Sequence, residues 1–169
     1  MDAAELRAMQ APIKDRYKSD PAAAVITLKA KGSIASDGLT CKVETGRALA
    51  VAGLHPATGG SGLELCSGDM LLEALVACAG VTLKSVATAT DVPLKEGNVI
   101  AEGDLDFRGT LGVDKEAPVG FAEIRLRFEV ETNAPQDKLD LLLKLTERYC
   151  VVYQTIKNGP KISVSMKRV

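Results

Sequence analysis

The longest apolar stretch of the chain runs from Asp69 to Thr90, and it constrains the fold more than any other segment. Apolar residues recur along one face at the spacing of a helix, and the opposite face is also mostly apolar. A helix that is apolar nearly all round is typical of the centre of a folded protein. Ser67 is a natural N-cap for it, and Asp69 in the first turn complements the helix dipole. We therefore expect a buried central helix that carries Cys78 in the middle of the core.

Composition indicates an ordinary globular protein. The 169 residues are 46% hydrophobic and 25% charged, with a formal net charge of -1, which suits one domain. A chain of this size buries roughly 70% of its unfolded surface, so its core does not depend on disulfides or a metal. The charge balance gives no electrostatic reason to expect nucleic acid or anionic lipid, and the 4% aromatic content without Trp argues against base stacking.

The sequence also bears on the cellular compartment. The first five residues lack the basic end and apolar run of a secretory signal. The longest candidate for a membrane span, residues 70–92, is interrupted by Glu73, Lys84 and Asp91, so we expect no membrane span. The expected compartment is the cytoplasm, where paired cysteines are more often catalytic, redox-sensing or metal-binding than structural.

The region before the central helix predicts strands. Residues 23–31 and 39–44 alternate around the turn Ser36-Asp37-Gly38, which is typical of a β-hairpin, and residues 47–54 predict a third strand. A short leading helix precedes them, because Pro12 interrupts its pattern. A glycine-rich loop over residues 55–68 leads to the central helix. We predict an N-terminal helical extension over residues 1–22 and a single domain over residues 23–169.

The region after the central helix predicts two further strands and two helices. Residues 98–108 and 121–131 alternate as antiparallel strands with one face in water. Thr132 or Asn133 can cap a second helix, with Pro135 near its first turn. Three further features follow: a helical piece over residues 151–157, a stop at Asn158-Gly159-Pro160, and a closing strand over residues 162–169.

Two cysteines are the main candidates for chemistry. Cys78 lies in the central helix and Cys150 at the end of the second helix, 72 positions later. If the fold brings them together, they can act as an attacking and a resolving thiol without a cofactor. The attacking species is a thiolate, whereas a free cysteine titrates near pH ~8.5 and burial raises that value. Cys78 is too far into its helix to feel the N-terminal dipole, so a reactive Cys78 requires a cationic partner: His55, Arg47 or Arg148.

Other roles stay open at this point. A lone cysteine on an apolar helix is most often a small buried hydrophobe. The four cysteines and one histidine lack the spacing of a zinc site, so no metal is expected. A Cys–His hydrolase would have His55 as its base, in a flexible loop. Tyr149 and Tyr153 either line a substrate pocket near Cys150 or simply pack.

Two segments resemble the OsmC/Ohr family of peroxide-reducing proteins. Ser67-Gly68-Asp69-Met70-Leu71-Leu72-Glu73-Ala74-Leu75-Val76-Ala77-Cys78 is similar to the family's first-cysteine helix, and Glu147-Arg148-Tyr149-Cys150-Val151-Val152 to its second-cysteine segment. The order of elements over residues 23–169 also matches. The resemblance implies an α+β fold in which antiparallel sheets pack on two central helices and two chains intertwine as a homodimer.

The resemblance also implies roles for individual residues. Cys78 would attack the peroxide as the peroxidatic thiol, and Cys150 would resolve the resulting sulfenic acid to a disulfide that an external dithiol reduces. Asp69 stands where the family has a glutamate, one methylene longer. The family's hairpin arginine is missing from the segment 31–38, and Arg47 is the residue expected to supply the positive charge.

These inferences define the expected function. The leading hypothesis is a cytoplasmic, homodimeric thiol peroxidase, an antioxidant protein of the stress response that reduces organic hydroperoxides without a cofactor, a membrane or a nucleic acid. The alternative is an OsmC-like dimer that binds a small hydrophobic or thiol-reactive ligand without turnover. A purely structural role for the cysteines is the third hypothesis.

Overall fold

The computed structural model of the protein describes residues 2–19, 31–34, 41–44, 49–112 and 114–168. Residues 23–30 of the predicted strand 23–31, the turn at residues 36–38 and Arg47 lie outside these ranges. The described part mixes helices with antiparallel and parallel strand pairs, as expected of an α+β protein.

A helix, α1, covers Ala3–Ser19 and packs against the central helix. Ala3 and Leu6 are buried, at 8% and 6% exposure. Pro12 lies inside α1, so the prediction of a short leading helix is wrong. Proline removes one backbone donor, and here the helix continues on both sides of it.

A four-stranded sheet precedes the central helix. It consists of β1 (Lys31–Ile34), β2 (Cys41–Glu44), β3 (Leu49–Gly53) and the two-residue β4 (Leu65–Cys66), in that order. The first three strands are antiparallel, with Lys31 opposite Glu44 and Glu44 opposite Leu49, whereas β3 and β4 are parallel. The second half of the predicted hairpin and the third strand are therefore confirmed.

The central helix, α2, covers Ser67–Ala89, close to the predicted 69–90. Its N-cap is Cys66, which makes no side-chain capping bond, so the assignment of Ser67 as N-cap is off by one position. The helix ends where Asp91 adopts a left-handed backbone at φ 53°, and the Val92 N–H then donates to the Ala87 carbonyl at 2.9 Å. Such a turn satisfies carbonyls left free at the C-terminus of a helix.

Only one face of α2 is covered within this chain. The buried residues are Leu75, Ala79, Leu83, Val86 and Ala87, whereas Val81 is 70% exposed. Cys78 is only half-buried, so the expectation that it lies in the middle of the core is wrong for the single chain. By length and composition α2 is also the one helix among the described residues that could cross a membrane. Within the chain, α2 packs against the strand Gly97–Leu105 and the helices Gln136–Tyr149 and Val151–Asn158.

A second sheet follows α2. It pairs β5 (Gly97–Leu105) with β6 (Phe121–Val130) in antiparallel register, which confirms both predicted strands. The connection begins with a helical turn, α3, over Phe107–Thr110, where the sequence pattern predicted the end of a strand. On the solvent face, Arg125 forms ion pairs with Asp104 and Glu102 across the two strands.

The last two helices are α4 (Gln136–Tyr149) and α5 (Val151–Asn158). The N-cap of α4 is Pro135 rather than Thr132 or Asn133, while α5 ends before Gly159 as predicted. The main core lies where the second half of α2 meets α4 and β6. Its buried members are Leu83, Val86, Ala87, Val92 and Leu142, with Phe128 and Leu145 packed against them.

The predicted closing strand is wrong for the single chain. Residues 159–168 form no helix or strand, and their side chains are exposed. Ile162, Val164 and Met166 are 77%, 92% and 100% exposed. A strand needs a neighbour to accept its backbone hydrogen bonds, and no other described segment pairs with these residues.

Candidate active site

The fold brings Cys78 and Cys150 into contact. Helices α4 and α5 both pack against α2, and the thiols of Cys78 and Cys150 lie close enough for each to shift the pKa of the other. Cys150 is 1% exposed and Cys78 is half-buried; both are free thiols. Residues 72 positions apart in the sequence thus form one dithiol centre.

The position of Cys150 follows from a break between two helices. Its backbone is extended, at φ −73° and ψ 109°, so it is at once the C-cap of α4 and the N-cap of α5. The Cys150 N–H donates to the Thr146 carbonyl at 2.9 Å, and the Cys150 carbonyl accepts from the Gln154 N–H at 2.9 Å. One residue therefore ends α4 and starts α5, and the new helix begins beside Cys78.

The surroundings of Cys78 favour its thiolate. Burial raises the pKa of the thiol, but the main-chain N–H of Val152, the Cys150 thiol, the N–H of Val151 and the Thr82 hydroxyl together outweigh that effect, so the pKa of Cys78 lies below its usual value. Hydrogen bonds to the charged form of an acid stabilise it. None of these donors carries a charge.

The pKa of Cys150 is shifted in the opposite direction. Burial raises the pKa of this thiol most, and the nearby Cys78 sulfur also raises it, whereas the N–H groups of Tyr153 and Val152 lower it. Cys78 is the first of the pair to ionise.

Thr82 is a site residue that sequence reasoning placed only on a helix face. It lies one turn after Cys78, and its hydroxyl contacts the Cys78 carbonyl at 2.8 Å as well as the Cys78 thiol. The signal available in the sequence was its position four residues after Cys78, on the same face of the helix. Val151 and Val152 act through their backbone N–H groups, which no side-chain pattern reveals.

The expected charged partners do not contact the thiols in the described part of the chain. Asp69 is exposed in the first turn of α2, about 13 Å along the helix axis from Cys78 at ~1.5 Å per residue. Arg148 lies over the Tyr149 ring at 5.9 Å. His55 accepts a hydrogen bond from the Ala57 N–H at 3.0 Å and stacks on Phe107, which removes the support for a Cys–His hydrolase. Arg47 lies outside the described residues.

An apolar cavity of about 500 Å³ lies one helical turn from the thiols. Leu75 lines it three residues before Cys78, and Glu147 and Tyr153 line it three residues on either side of Cys150. The Tyr153 hydroxyl lies 3.4 Å from both the Glu147 carboxylate and the Lys157 ammonium. The remaining lining is Phe121, Ala122, Glu123, Ile124, Leu126, Phe128, Leu143, Ile156 and Lys157.

A second cavity, of about 470 Å³, lies on the other side of the helix break. Cys150, Tyr149 and Val151 are part of its lining. Tyr149 therefore lines a cavity that Cys150 also lines, whereas Tyr153 lines the first cavity, which neither Cys78 nor Cys150 lines. Within the described ranges, no three His, Cys, Asp or Glu side chains cluster as metal ligands would.

Fold and site together define a small α+β protein with a dithiol centre at a helix break. The family described as OsmC-like protein matches residues 59–165, more than half of the chain. The chain therefore belongs to the OsmC family. No curated protein sequence matches it.

Solved structures share the fold at low sequence identity. An OsmC-like protein from Mycoplasma pneumoniae superposes with a TM-score of 0.65 and 15% identity, covering 79% of this chain and 89% of that one. An organic hydroperoxide resistance protein OsmC from Legionella pneumophila superposes with a TM-score of 0.62 and 16% identity, covering 80% of this chain and 92% of that one. An organic hydroperoxide resistance protein from Elizabethkingia anophelis superposes with a TM-score of 0.62 and 14% identity, covering 80% of this chain and 91% of that one. At these identities the likeness establishes the fold.

Proposed function

We propose that this chain is a thiol peroxidase that reduces organic hydroperoxides through Cys78 and Cys150. The observation that carries the proposal is the contact between the two thiols, with the pKa of Cys78 lowered and that of Cys150 raised. A peroxidase of this kind needs one thiol that is ionised before the other. Membership of the OsmC family and structural neighbours named for organic hydroperoxide resistance agree with this function.

The chemistry balances without a cofactor. The Cys78 thiolate attacks one oxygen of the O–O bond, forming an S–O bond; the other oxygen leaves as an alkoxide and takes a proton to become the alcohol. Cys78 is now a sulfenic acid. The Cys150 sulfur attacks it, a disulfide forms, and the hydroxyl leaves as water. An external dithiol then reduces the disulfide by thiol–disulfide exchange and is itself oxidised.

The apolar cavity beside Leu75 and Tyr153 is the proposed site for the organic part of the hydroperoxide. Aromatic and aliphatic side chains form most of its lining, and Glu147 and Lys157 are the charged groups at its Tyr153 side. A pocket of this kind favours an alkyl or aryl hydroperoxide over hydrogen peroxide, because burial of apolar surface contributes to binding.

Two charged residues stay in the proposal on the strength of the family resemblance. Arg47 is the proposed cation that stabilises the Cys78 thiolate, and Asp69 is proposed to orient this arginine. Since Asp69 is about 13 Å along α2 from Cys78, its proposed effect on the thiol passes through the arginine.

The protein is further proposed to act as an intertwined homodimer in the cytoplasm. Only 17% of the most apolar part of α2 is buried within one chain, which leaves an apolar face that includes Leu71 and Val81. The C-terminal segment presents alternating apolar residues and has no strand partner among the described segments. A second copy would cover the helix face and supply an edge for the segment.

Replacement of each cysteine tests the proposed function. Cys78→Ser should abolish the consumption of cumene hydroperoxide, and full activity in that variant contradicts the proposal. Cys150→Ser should consume one equivalent and then stop, with a sulfenic acid on Cys78 detectable by mass. Cys66→Ser is the matched control, because Cys66 is a free thiol at the N-cap of α2 and should leave turnover unchanged.

The second candidate function is a ligand-binding dimer without turnover. The exposed position of Asp69, without an ion-pair or hydrogen-bond partner in the described part, favours it. Under this alternative, a hydrophobic or thiol-reactive ligand protects Cys78 from alkylation, while hydroperoxide is not consumed at any concentration of external dithiol.

A further inference from the structure

We propose that a further cavity, between α1, α2 and α4, binds a small apolar molecule that carries a carboxylate, and that Lys14 recognises the carboxylate. This α1 cavity has a volume of about 590 Å³, larger than either cavity described above. Neither Cys78 nor Cys150 lines it. The inference is therefore independent of the proposed peroxidase chemistry and concerns a second site.

Each of the three helices contributes one face to the α1 cavity. On α1, the lining residues Leu6, Gln10 and Lys14 are spaced four apart, so they lie along one stripe of the helix. On α4, Leu145 and Tyr149 have the same spacing. The second half of α2 supplies the floor, and both α1 and α4 pack against this helix. The cavity is thus a product of how the helices pack.

The floor of the α1 cavity suits the apolar part of a ligand. Val86 and Ala89 supply aliphatic surface. The hydroxyls of Thr82 and Thr90 also line the cavity, but they donate to carbonyls of their own helix, those of Cys78 and Val86, each at 2.8 Å. Because both donors are already used, a ligand gains from this floor mainly through burial of apolar surface.

The polar groups of the α1 cavity suit an anion. Lys14 is the one charged side chain among the described residues that line it, and its ammonium forms no ion pair in the described part of the chain. The amide of half-buried Gln10 and the hydroxyl of Tyr149 likewise have no hydrogen-bond partner there. An ammonium with further donors beside an apolar surface is complementary to a carboxylate on an apolar body.

The α1 cavity is separate from the one proposed for the organic part of the hydroperoxide. Leu75, three residues before Cys78, lines the first cavity, whereas Thr82, four residues after Cys78, lines the α1 cavity. The two cavities therefore lie on opposite sides of the thiol along α2. The family match begins at residue 59, so α1 and its lysine lie outside the matched region.

The first test locates a bound acid by methyl NMR of the full chain. Titration with 4-phenylbutyrate should shift the methyl signals of Leu6 and Leu145 saturably and leave those of Ile124 and Leu126, which line the first cavity, in place. Val81 lines the α1 cavity and also belongs to the face that the proposed second copy covers, so the protein is titrated in the assembly that it forms in solution. Shifts confined to the first cavity, or no saturable shifts, overturn the inference.

The second test concerns the charge. Lys14→Gln should weaken binding of 4-phenylbutyrate about two- to fivefold, because an exposed ion pair is lost, and should leave binding of the uncharged 4-phenylbutan-1-ol unchanged. Lys138→Gln is the matched control, since Lys138 is exposed on α4 and does not line the α1 cavity. Unchanged affinity of Lys14→Gln for the acid overturns the inference. So does a larger effect of Lys157→Gln, since the first cavity would then hold the acid.

The third test fills the cavity. Ser85 lines it and is exposed, so Ser85→Phe should place a ring in the α1 cavity without disturbing the buried core. The methyl shifts of Leu6 and Leu145 on titration with 4-phenylbutyrate should then be lost. Urea unfolding shows whether the variant is folded, and a folded Ser85→Phe protein that still binds the acid overturns the inference; Lys14→Gln decides the matter should that variant not fold. Binding is measured without hydroperoxide, so a protein without peroxidase turnover can still bind the acid.

Discussion

The buried thiol of Cys150 lies next to the half-buried thiol of Cys78, and the pKa values of the two thiols are shifted in opposite directions. Contact alone would leave the roles of two thiols interchangeable. Burial is the largest cause of the raised pKa of Cys150, whereas hydrogen-bond donors near Cys78 outweigh the effect of its burial. The proposed roles, Cys78 as attacking thiol and Cys150 as resolving thiol, follow this order of ionisation.

The first prediction concerns pH. Because the pKa of Cys78 is lowered and that of Cys150 is raised, the thiolate of Cys78 forms first as the pH increases, and only thiolates react with iodoacetamide. Cys78 should be alkylated faster than Cys150 throughout the range from about pH 6 to about pH 9. Peptide mass analysis after timed alkylation measures both rates, and a faster Cys150 would reverse the proposed roles.

The second prediction concerns Thr82. Thr82→Val keeps the shape of the side chain but removes its hydroxyl, so the pKa of Cys78 should rise by roughly half a unit and alkylation near neutral pH should slow about threefold. Thr88→Val is the matched control on the same helix, since the Thr88 hydroxyl also donates to the carbonyl four residues earlier, at 2.8 Å, away from the thiols. An equal effect in both variants would point to a change in α2 rather than at the sulfur.

Much of the fold could be predicted because hydrophobic periodicity reflects burial. The spacing of apolar residues correctly predicted α2, the β5–β6 pair and the separate helix α5. The same reasoning predicted a fully buried α2 and a closing strand over residues 162–169, neither of which a single chain provides. A periodic pattern of apolar residues predicts that a surface is buried, and it does not indicate whether the same chain or another chain buries it.

The site was predictable only as far as it depends on side chains. The sequence predicted Cys78 and Cys150 as the reactive thiols, and it predicted an arginine or a histidine as the group that activates Cys78. The donors found beside Cys78 are backbone N–H groups and a threonine hydroxyl. Every residue except proline has a backbone N–H, so the type of residue at positions 151 and 152 carries no signal. The signal lies instead in the position at which α4 ends and α5 begins.

The third prediction tests the core. Leu142 is 3% exposed and lies in the buried cluster with Leu83 and Val86, whereas its neighbour Leu141 is 44% exposed. Leu142→Ala should lower the free energy of unfolding by about 2–5 kcal/mol, because it removes buried surface and leaves a cavity. Leu141→Ala should cost less than about 1 kcal/mol. Urea unfolding of the two variants measures the difference, and equal losses would contradict the described burial.

The fourth prediction tests the dimer. Val81 is 70% exposed on the apolar face of α2 in a single chain. Val81→Glu should convert the proposed dimer to monomers, because a carboxylate would be buried without a partner at the interface. Thr110→Glu, at an exposed polar position of α3, should leave the assembly unchanged. Light scattering coupled to gel filtration gives the masses, and a monomeric wild-type protein would refute the proposed assembly.

The fifth prediction concerns Gln154 and tests whether the helix break serves the thiolate. Gln154→Leu keeps the side-chain size but leaves the Glu147 carbonyl without its donor, so the Val151 N–H can turn to that carbonyl as it would in a continuous helix. The pKa of Cys78 should then rise together with a loss of about 1–2 kcal/mol in the free energy of unfolding. Gln136→Leu removes a comparable amide, bonded to Asp140 on the surface at 2.8 Å, and should change neither quantity. A Gln154→Leu protein that loses stability but keeps the Cys78 pKa of the wild type would contradict a link between the helix break and the Cys78 thiol.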